Sequence, residues 1–533
     1  MTGSGVPAPD RRCVYLIADA RPLDAGATPE ALGFKAYNLA RLAAIGLKVP
    51  PAFVLGTGYC AGPEAVTPAL WGAALAELEA AAGAALGDPR RPLLLSVRSG
   101  APVSMPGMME TILNIGLTDT TLPGMIRQTG NPRLAFDAYR RLIAGYGAVV
   151  AGIDAGAFDA DLDAVRGGEP ERSLDFAALH ELTARHRETY QRLAGDDFPQ
   201  DARVQLQQAI ASVFRSWSSA KAETYRALRH LADDMGTAVT VQRMVFGNAG
   251  GLSGAGVGFT RNPSDGSPEP WIDFLFNAQG EDVVSGRRTA EGQSSLAAVA
   301  PGVWQELVAA TPLLERQFGD MQDFEFTVEE GTLFFLQTRE GKRTPLAAAR
   351  IALDLADAGL ISVETARRRT AELTDADLAT EHLALDDAAA AEPLGRAVTA
   401  SGGVVSGEIT FDEAGVRARK ARGATVVLVR RDAETRDIAA LDLADGLLTC
   451  HGARTSHTAV VARQLGKVCL VGCEAMTLDE AGGWLELGGQ RLAEGDELTL
   501  DGNTGLIHAG RARIVTSIPE ALVARLRRLH GRA

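Results

Sequence analysis

The chain has 533 residues, 46% hydrophobic and 23% charged, ordinary globular values that exclude disordered and collagen-like classes, and it is too long for one hydrophobic core, so about two to four domains are expected. Fifty-three Lys and Arg against 67 Asp and Glu give a formal net charge of -14, which repels polyanions and argues against nucleic-acid binding, so any phosphate-bearing ligand must be held by a few local cations. Five cysteines without paired metal-ligand spacing (Cys13, Cys60, Cys450, Cys469, Cys473) fit a reducing compartment, and with no apolar run of roughly 18 to 20 residues and no signal core at the start the chain reads as soluble, cytoplasmic and without a membrane partner.

In chain order, an apolar run from Cys13 to Ala18, a helix-like stretch from Lys35 to Ala44 closed by Gly46, and a buried strand from Leu93 to Val97 open an α/β segment. Residues 118-235 are charged and helix-periodic and read as an α-rich insertion. Strand signals return between Ala238 and Thr338, with turn formers at Asn248 to Gly251, Asn262 to Gly266 and Glu330-Gly331. Residues 1-345 are expected to form one domain, 346-393 a helical linker ending in LALDDAAAAEP, 394-517 a compact α/β domain, and 518-533 a terminal helix. The fold class is α/β, in several domains.

Three stretches carry chemistry. In MQDFEFTVEEGTLFFLQTREGKR (Met321 to Arg343), alternation puts Phe324, Phe326 and Val328 on one face of a strand and Asp323 and Glu325 on the other. With Glu330-Gly331-Thr332 as a hairpin loop, Phe334 and Leu336 join the apolar face, Gln337 lies opposite Glu325 and Arg339 opposite Asp323. That cluster suits Mg²⁺ and a polyphosphate; an exposed hairpin with a cross-strand Asp-Arg pair is the alternative. In GGLSGAGVG (Gly250 to Gly258), small residues let backbone N–H groups approach phosphate, though a flexible hairpin is the more frequent explanation and no Walker signature is present. Lys35 and Arg98 supply isolated cations.

The third stretch is LLTCHGARTSHTAVVARQLGKVCLVGC (Leu447 to Cys473). Thr455 or Ser456 can cap a helix carrying Val460, Val461 and Leu465 and ending at Gly466. His457 then sits in the first turn, where the helix terminus disfavours imidazolium and favours anions, so a neutral, nucleophilic ring is expected there. A capping or core histidine is the alternative.

Taken together, SVRSGAPVSMPGMMETILNIGL (Ser96 to Leu117), VQRMVFGN (Val241 to Asn248), GFTRNP (Gly258 to Pro263), NAQGEDVVSG (Asn277 to Gly286), the Met321 to Thr344 segment and TSHTAVVARQLGK (Thr455 to Lys467) resemble motifs of the pyruvate, phosphate dikinase family, in that family's order and across nearly the whole chain. The resemblance implies an ATP-grasp-type nucleotide-binding domain followed by a swivelling phosphohistidine domain. It implies that Lys35 and Arg98 contact ATP phosphates, with Gln242 and the Met244-Val245 backbone beside adenine. It further implies that Asp323, Glu325 and Gln337 hold nucleotide and Mg²⁺, with Glu281 a further metal-site member, Arg339 beside the phosphates, and Ser253, Gly254 and Gly256 in a mobile loop over them. His457 would take the β-phosphoryl group of ATP, giving AMP and, with inorganic phosphate as co-substrate, pyrophosphate; Thr455 matches a regulatory phosphorylation position in plant members.

The chain departs from the family in three places. The barrel that binds phosphoenolpyruvate or pyruvate is expected to be missing after Ala533, which leaves a separate barrel protein or a small molecule as phosphoryl acceptor. The sequence reads GFKA around Lys35 where GGKG is expected, and HGARTSH before His457 where a Gly-Gly pair is expected. Arg454 there either stiffens the loop or adds a phosphate contact. These departures keep two further readings open: a catalytically weak or regulatory ATP-binding protein, or a kinase of a different small molecule.

Overall fold

A computed structural model describes residues 11–103, 105, 108–284, 291–384, 392–432, 437–452, 454 and 457–531. Two compact units emerge: Met1–Gly250 with Phe334–Gln337, and Gly251–Leu333 with Thr338–Ala533.

The first unit is built on an antiparallel sheet of β1 (Val14–Ile17), β2 (Ala52–Leu55), β3 (Leu95–Gly100), β4 (Thr111–Ile115) and β5 (Ala238–Arg243), in the order β1-β2-β5-β3-β4. Alternation sends Phe53, Leu55, Leu95, Val97, Val239 and Val241 to one face, where they join Trp71, Tyr139, Tyr146 and Phe214 in a continuous core. α1 (Phe34–Ala44) and α2 (Pro68–Ala82) precede β3. The expected α-rich insertion is present between β4 and β5: α3 (Leu122–Thr129), α4 (Pro132–Val149), α5 (Ala155–Arg166), α6 (Phe176–Ala194), α7 (Ala202–Arg215) and α8 (Ala220–Leu228). Its punctuation is local. Asn131, Asp154, Asp175 and Asp201 each accept a backbone N–H at a helix start, and Gly130, Gly167 and Gly195 end helices at positive φ. Edge-to-face contacts of Phe198 with Tyr139, Tyr146 and Tyr190 pack the inside of the insertion.

The second unit contains a sheet of β6 (Gly254–Phe259), β7 (Trp271–Phe276), β8 (Glu291–Gly292), β9 (Gln322–Glu329) and β10 (Thr332–Glu340), ordered β10-β9-β6-β7-β8. Gly254, Gly256 and Gly258 of β6 pair with Val328, Phe326 and Phe324 of β9 and with Phe276, Phe274 and Ile272 of β7. A Cβ on Gly254 would lie 2.1 Å from Phe274 Cζ, and one on Gly256 2.3 Å from Phe326 Cζ. These glycines make room for the stacked Phe274 and Phe326 rings, whose centroids are 5.8 Å apart. The β9–β10 turn is shorter than the three-residue loop expected: Thr332 already belongs to β10, and Glu330 (φ 48) and Gly331 (φ 79) alone make the turn. Positive φ at both central residues gives the turn a twist matching that of the strands.

Buried ion pairs brace this sheet. Arg261 makes a two-pronged contact with Glu315 (2.8 and 3.0 Å) and reaches Asp354 at 3.2 Å, while Arg343 does the same to Asp320 (2.6 and 2.8 Å). Asp354 lies on α11 (Pro345–Asp357), which follows β10.

Further along, β11 (Thr380–Leu383) pairs with a late strand, and an eight-stranded mixed sheet follows. Its parallel centre consists of β14 (Val404–Thr410), β15 (Val426–Arg430), β16 (Gly446–Thr449) and β17 (Val468–Val471). β12 (Gly395–Arg396) and β13 (Val398–Ser401) lie at its two edges. The crossover from β16 to β17 carries α12 (His457–Gln464), whose Ala459 and Ala462 pack on Leu428, Leu447 and Cys469. The opposite face of the sheet holds a second cluster that includes Cys450 and Cys473. Burial pushes the thiols of Cys450 and Cys473 up to about 11 and that of Cys469 up to about 12. α13 (Glu520–His530) packs Leu522, Val523 and Leu526 against Ala349 and Leu353 of α11. Among the described residues, no helix is long and apolar enough to cross a membrane.

Gly256→Ala should lower stability by about 1–3 kcal/mol, because the added methyl must displace the Phe326 ring. Gly302→Ala, where a Cβ meets nothing within 4 Å, should be neutral or stabilising by up to ~1 kcal/mol. Urea denaturation of the two variants checks the contrast.

Candidate functional site

In the first unit, Arg98 of β3 pairs with Thr240 of β5, and Ser96 with Gln242. Since Val97, Val239 and Val241 fill the core on the other side, Ser96, Arg98, Thr240 and Gln242 share the opposite face. Arg98 is half-buried there, whereas Gln242 is buried and its Nε2 donates to Pro50 O at 3.2 Å. Met244 follows β5, its N–H donating to Leu94 O at 2.9 Å, and Val245 beside it is buried. Lys35 occupies the first turn of α1, exposed, after Gly33 at φ 75. A Cβ at Gly33 would lie 1.9 Å from Gly100 O, so only glycine lets the start of α1 approach the end of β3. Gln337 is buried within the segment of β10 that belongs to this unit.

In the second unit, Asp323 and Glu325 of β9 pair with Phe259 and Val257 of β6, which pair with Trp271 and Asp273 of β7. These six side chains therefore lie on one face, with the phenylalanine-glycine interlock on the other. Arg339 Nε donates to Asp323 Oδ2 at 2.9 Å. Burial holds the Asp323 carboxyl above its usual range, partly opposed by the Arg339 guanidinium. Among the described residues, Asp323 Oδ1 has no hydrogen-bond partner. A buried carboxylate oxygen with spare acceptor capacity, next to Glu325, suits Mg²⁺, which takes one or two carboxylates and fills its remaining positions with water and phosphate oxygens. No group of three or more His, Cys, Asp or Glu converges among the described residues, so a closed protein cage for a metal is not built there.

Ser253 is fully buried, and its Oγ accepts the Glu330 N–H at 3.0 Å. Gly254 opens β6 and Gly256 lies inside it, so both are strand residues rather than parts of a loop. The glycines with positive φ and open space are Gly250 (φ 95) and Gly251 (φ 56), in the turn just before. Glu281 belongs to α9 (Gly280–Val284); its side chain lies outside the described residues, as does that of His457. Thr455 also falls outside them. His457 is the first residue of α12.

Asp273 and Arg463 have little signal in the sequence, whereas Arg454 stands out there as a departure before His457. Arg454 Nε donates to Asp273 Oδ1 at 2.5 Å, its Nη2 donates to Ile272 O at 2.6 Å, and its Cζ lies 4.5 Å from the Trp271 ring centroid. Arg463 of α12 lies with Cζ 4.7 Å from the Trp271 centroid and 5.6 Å from that of Phe259, and donates to Ala400 O and Arg454 O. Burial draws Arg463 down to about 10, so it stays protonated at neutral pH. The helix that begins with His457 is thus attached to the sheet face that carries Asp323 and Glu325. Asp273 inside WIDFLF reads as an ordinary buried strand residue, and Arg463 inside VVARQL as a surface helix cation; only the tertiary fold puts them together.

These features define a class: an ATP-type nucleotide-binding module joined to a small α/β module that carries a histidine at a helix start. Comparison with known proteins agrees. A family model for the pyruvate phosphate dikinase AMP/ATP-binding domain matches residues 63–298, and one for the mobile domain of PEP-utilising enzymes matches residues 423–505. The chain is 42% identical over 493 residues to pyruvate, phosphate dikinase of Clostridium symbiosum, covering 90% of this chain and 56% of the relative. It is 41% identical over 493 residues to pyruvate, phosphate dikinase 2 of Zea mays, with the same shares of each chain. Pyruvate, phosphate dikinase 2 of Oryza sativa subsp. japonica is 40% identical over 489 residues, which are 90% of this chain and 55% of the relative. The chain belongs to the pyruvate phosphate dikinase family and spans about half the length of these relatives.

Because Asp323 holds its proton more tightly folded than unfolded, its contribution to stability is fully present below the unfolded carboxyl pKa and is lost as pH rises through the folded one. Asn has no such titration. The stability of Asp323→Asn relative to wild type should therefore shift in the variant's favour over the pH range above the unfolded carboxyl value of about 4. Urea midpoints measured across that range check this; a pH-independent difference would contradict it.

Proposed function

We propose that the chain is an ATP-dependent phosphotransferase that phosphorylates its own His457 and passes the group to an acceptor in trans. ATP and inorganic phosphate are converted to AMP and pyrophosphate, and the β-phosphoryl group stays on the imidazole. The carrying observation is that α12, which begins at His457, is fastened by Arg454 and Arg463 to β6 and β7, on the sheet face that they share with Asp323 and Glu325 of β9. The matches of residues 63–298 to an AMP/ATP-binding domain and of residues 423–505 to a PEP-utilising mobile domain support the same reading.

The roles follow from what phosphoryl transfer requires, which is positioning and charge neutralisation. Lys35, Arg98 and Arg339 neutralise the polyphosphate, and Gln242 with the Met244-Val245 backbone holds adenine. Ser253, together with Gly254 and Gly256 after the Gly250-Gly251 turn, borders the phosphates. Glu325, Gln337 and Glu281, with Asp323, are the groups that would hold Mg²⁺, whose chemistry is to screen the phosphate oxygens. His457, neutral at the positive end of a helix dipole, attacks; the new phosphate remains where backbone N–H groups stabilise an anion. The acceptor is a separate PEP/pyruvate-binding barrel or a small molecule, and phosphorylation of Thr455 would block the approaching anion by like charge.

The GFKA segment around Lys35 and the Arg454 substitution favour a second reading, a dikinase-like ATP-binding protein of weak or regulatory activity, and a kinase acting on another small molecule is a third. Incubation with β- or γ-labelled ATP, with and without inorganic phosphate, separates the second reading from the first and third. The expected result is an acid-labile β-label in wild type and none in His457→Ala, with ATP affinity unchanged. ATP binding without label in wild type would favour the second reading.

A further inference from the structure

We propose that Arg454 and Arg463 form a clamp that closes on Trp271 and Asp273, fixing the segment before His457 over the carboxylate face, and that Arg454 is thereby a positioning residue for phosphoryl acceptance. The functional half of this inference rests on the reading of His457 given above; the clamp itself does not.

Five contacts make up the clamp. Arg454 is 13% exposed and Asp273 2%, so their ion pair is shielded from water and from salt, unlike a surface pair. The second prong, Arg454 Nη2 to Ile272 O, fixes the guanidinium plane. The same plane lies 4.5 Å from the Trp271 centroid, within cation–π range. Arg463, only 1% exposed, also meets that ring and donates to the Arg454 carbonyl at 3.2 Å. The two arginines are thus tied to each other as well as to β7.

Placement gives the clamp its meaning. Asp273 and Trp271 share their sheet face with Asp323 and Glu325. Arg454 stands three residues before His457 and Arg463 six after it, so the start of α12 is held on both sides. If the histidine must later present its phosphate elsewhere, this clamp is the set of contacts that has to open. Lysine at 454 would keep the charge but lose the fork and the flat stacking surface.

The test uses the full chain. With β-labelled ATP, Arg454→Gln should form phosphohistidine at least about tenfold more slowly at saturating ATP, with KM for ATP within about twofold of wild type. Arg454→Lys should fall between the two. The double variant Arg454→Gln/Asp273→Asn should be no slower than the slower single variant, as coupled partners require. A wild-type rate in Arg454→Gln, or a slowing in the double variant equal to the product of the single effects, would overturn the positioning role. Trypsin gives a readout independent of activity: cleavage after residue 454 should be at least about fivefold faster in Arg454→Lys and in Asp273→Asn than in wild type, while other sites are cut at unchanged rates. Unchanged cleavage in both variants would refute the clamp. Absence of label in wild type would refute the proposed function while proteolysis still judges the clamp.

Discussion

In β6, β7 and β9 each side chain is forced to the face opposite its neighbour's, and that constraint underlies the rest of the second unit. Phenylalanines at 274, 324 and 326 occupy the space left by glycines at 254, 256 and 258. A shift of one residue would drive Asp323 and Glu325 into the aromatic layer and strand the rings on the polar side. The aromatic packing therefore sets the register, and the register presents the carboxylates together. Arg261 holds the end of β6 to Glu315 and to Asp354 of α11, and Arg343, just past β10, holds Asp320 ahead of β9, leaving little freedom for the acidic face to deform.

The first unit reaches a comparable result by other means. Its sheet buries valines, Leu95 and Phe53 beneath a helical insertion and leaves Ser96, Arg98, Thr240 and Gln242 on the reverse side. A cation that would be costly in the core thus stands half-buried on a rigid strand, which is a more exact mount than a loop. In an acidic chain such mounted cations matter more than net charge for holding a polyphosphate.

Local signals in the sequence were enough for most elements. The insertion, the strand at Leu95, the two strands of the hairpin and a helix beginning at His457 all follow from periodicity, caps and turn residues, because those determinants lie within a few residues of one another. Gly254 and Gly256 show where this fails. Closely spaced glycines look like a loop when read alone; they are strand residues because rings far away in sequence need the volume a Cβ would take. The three-residue loop at Glu330 shrank to two for a related reason, since strand twist decides the turn. Arg454 stands out in the sequence as a departure before His457, but its partners Arg463, Trp271 and Asp273 each have an ordinary local explanation, and only tertiary folding assembles the group.

The buried sulfurs of the eight-stranded sheet have a practical corollary. Cys469 lies beneath Ala459 and Ala462 of the His457 helix, with its thiol raised to about 12, and Cys450 and Cys473 lie on the opposite face at about 11. Thiolate is scarce at neutral pH and reagents cannot enter. Alkylation of these positions consequently runs at the pace at which the module opens, so the protein carries its own chemical clock for local unfolding around the helix that begins at His457.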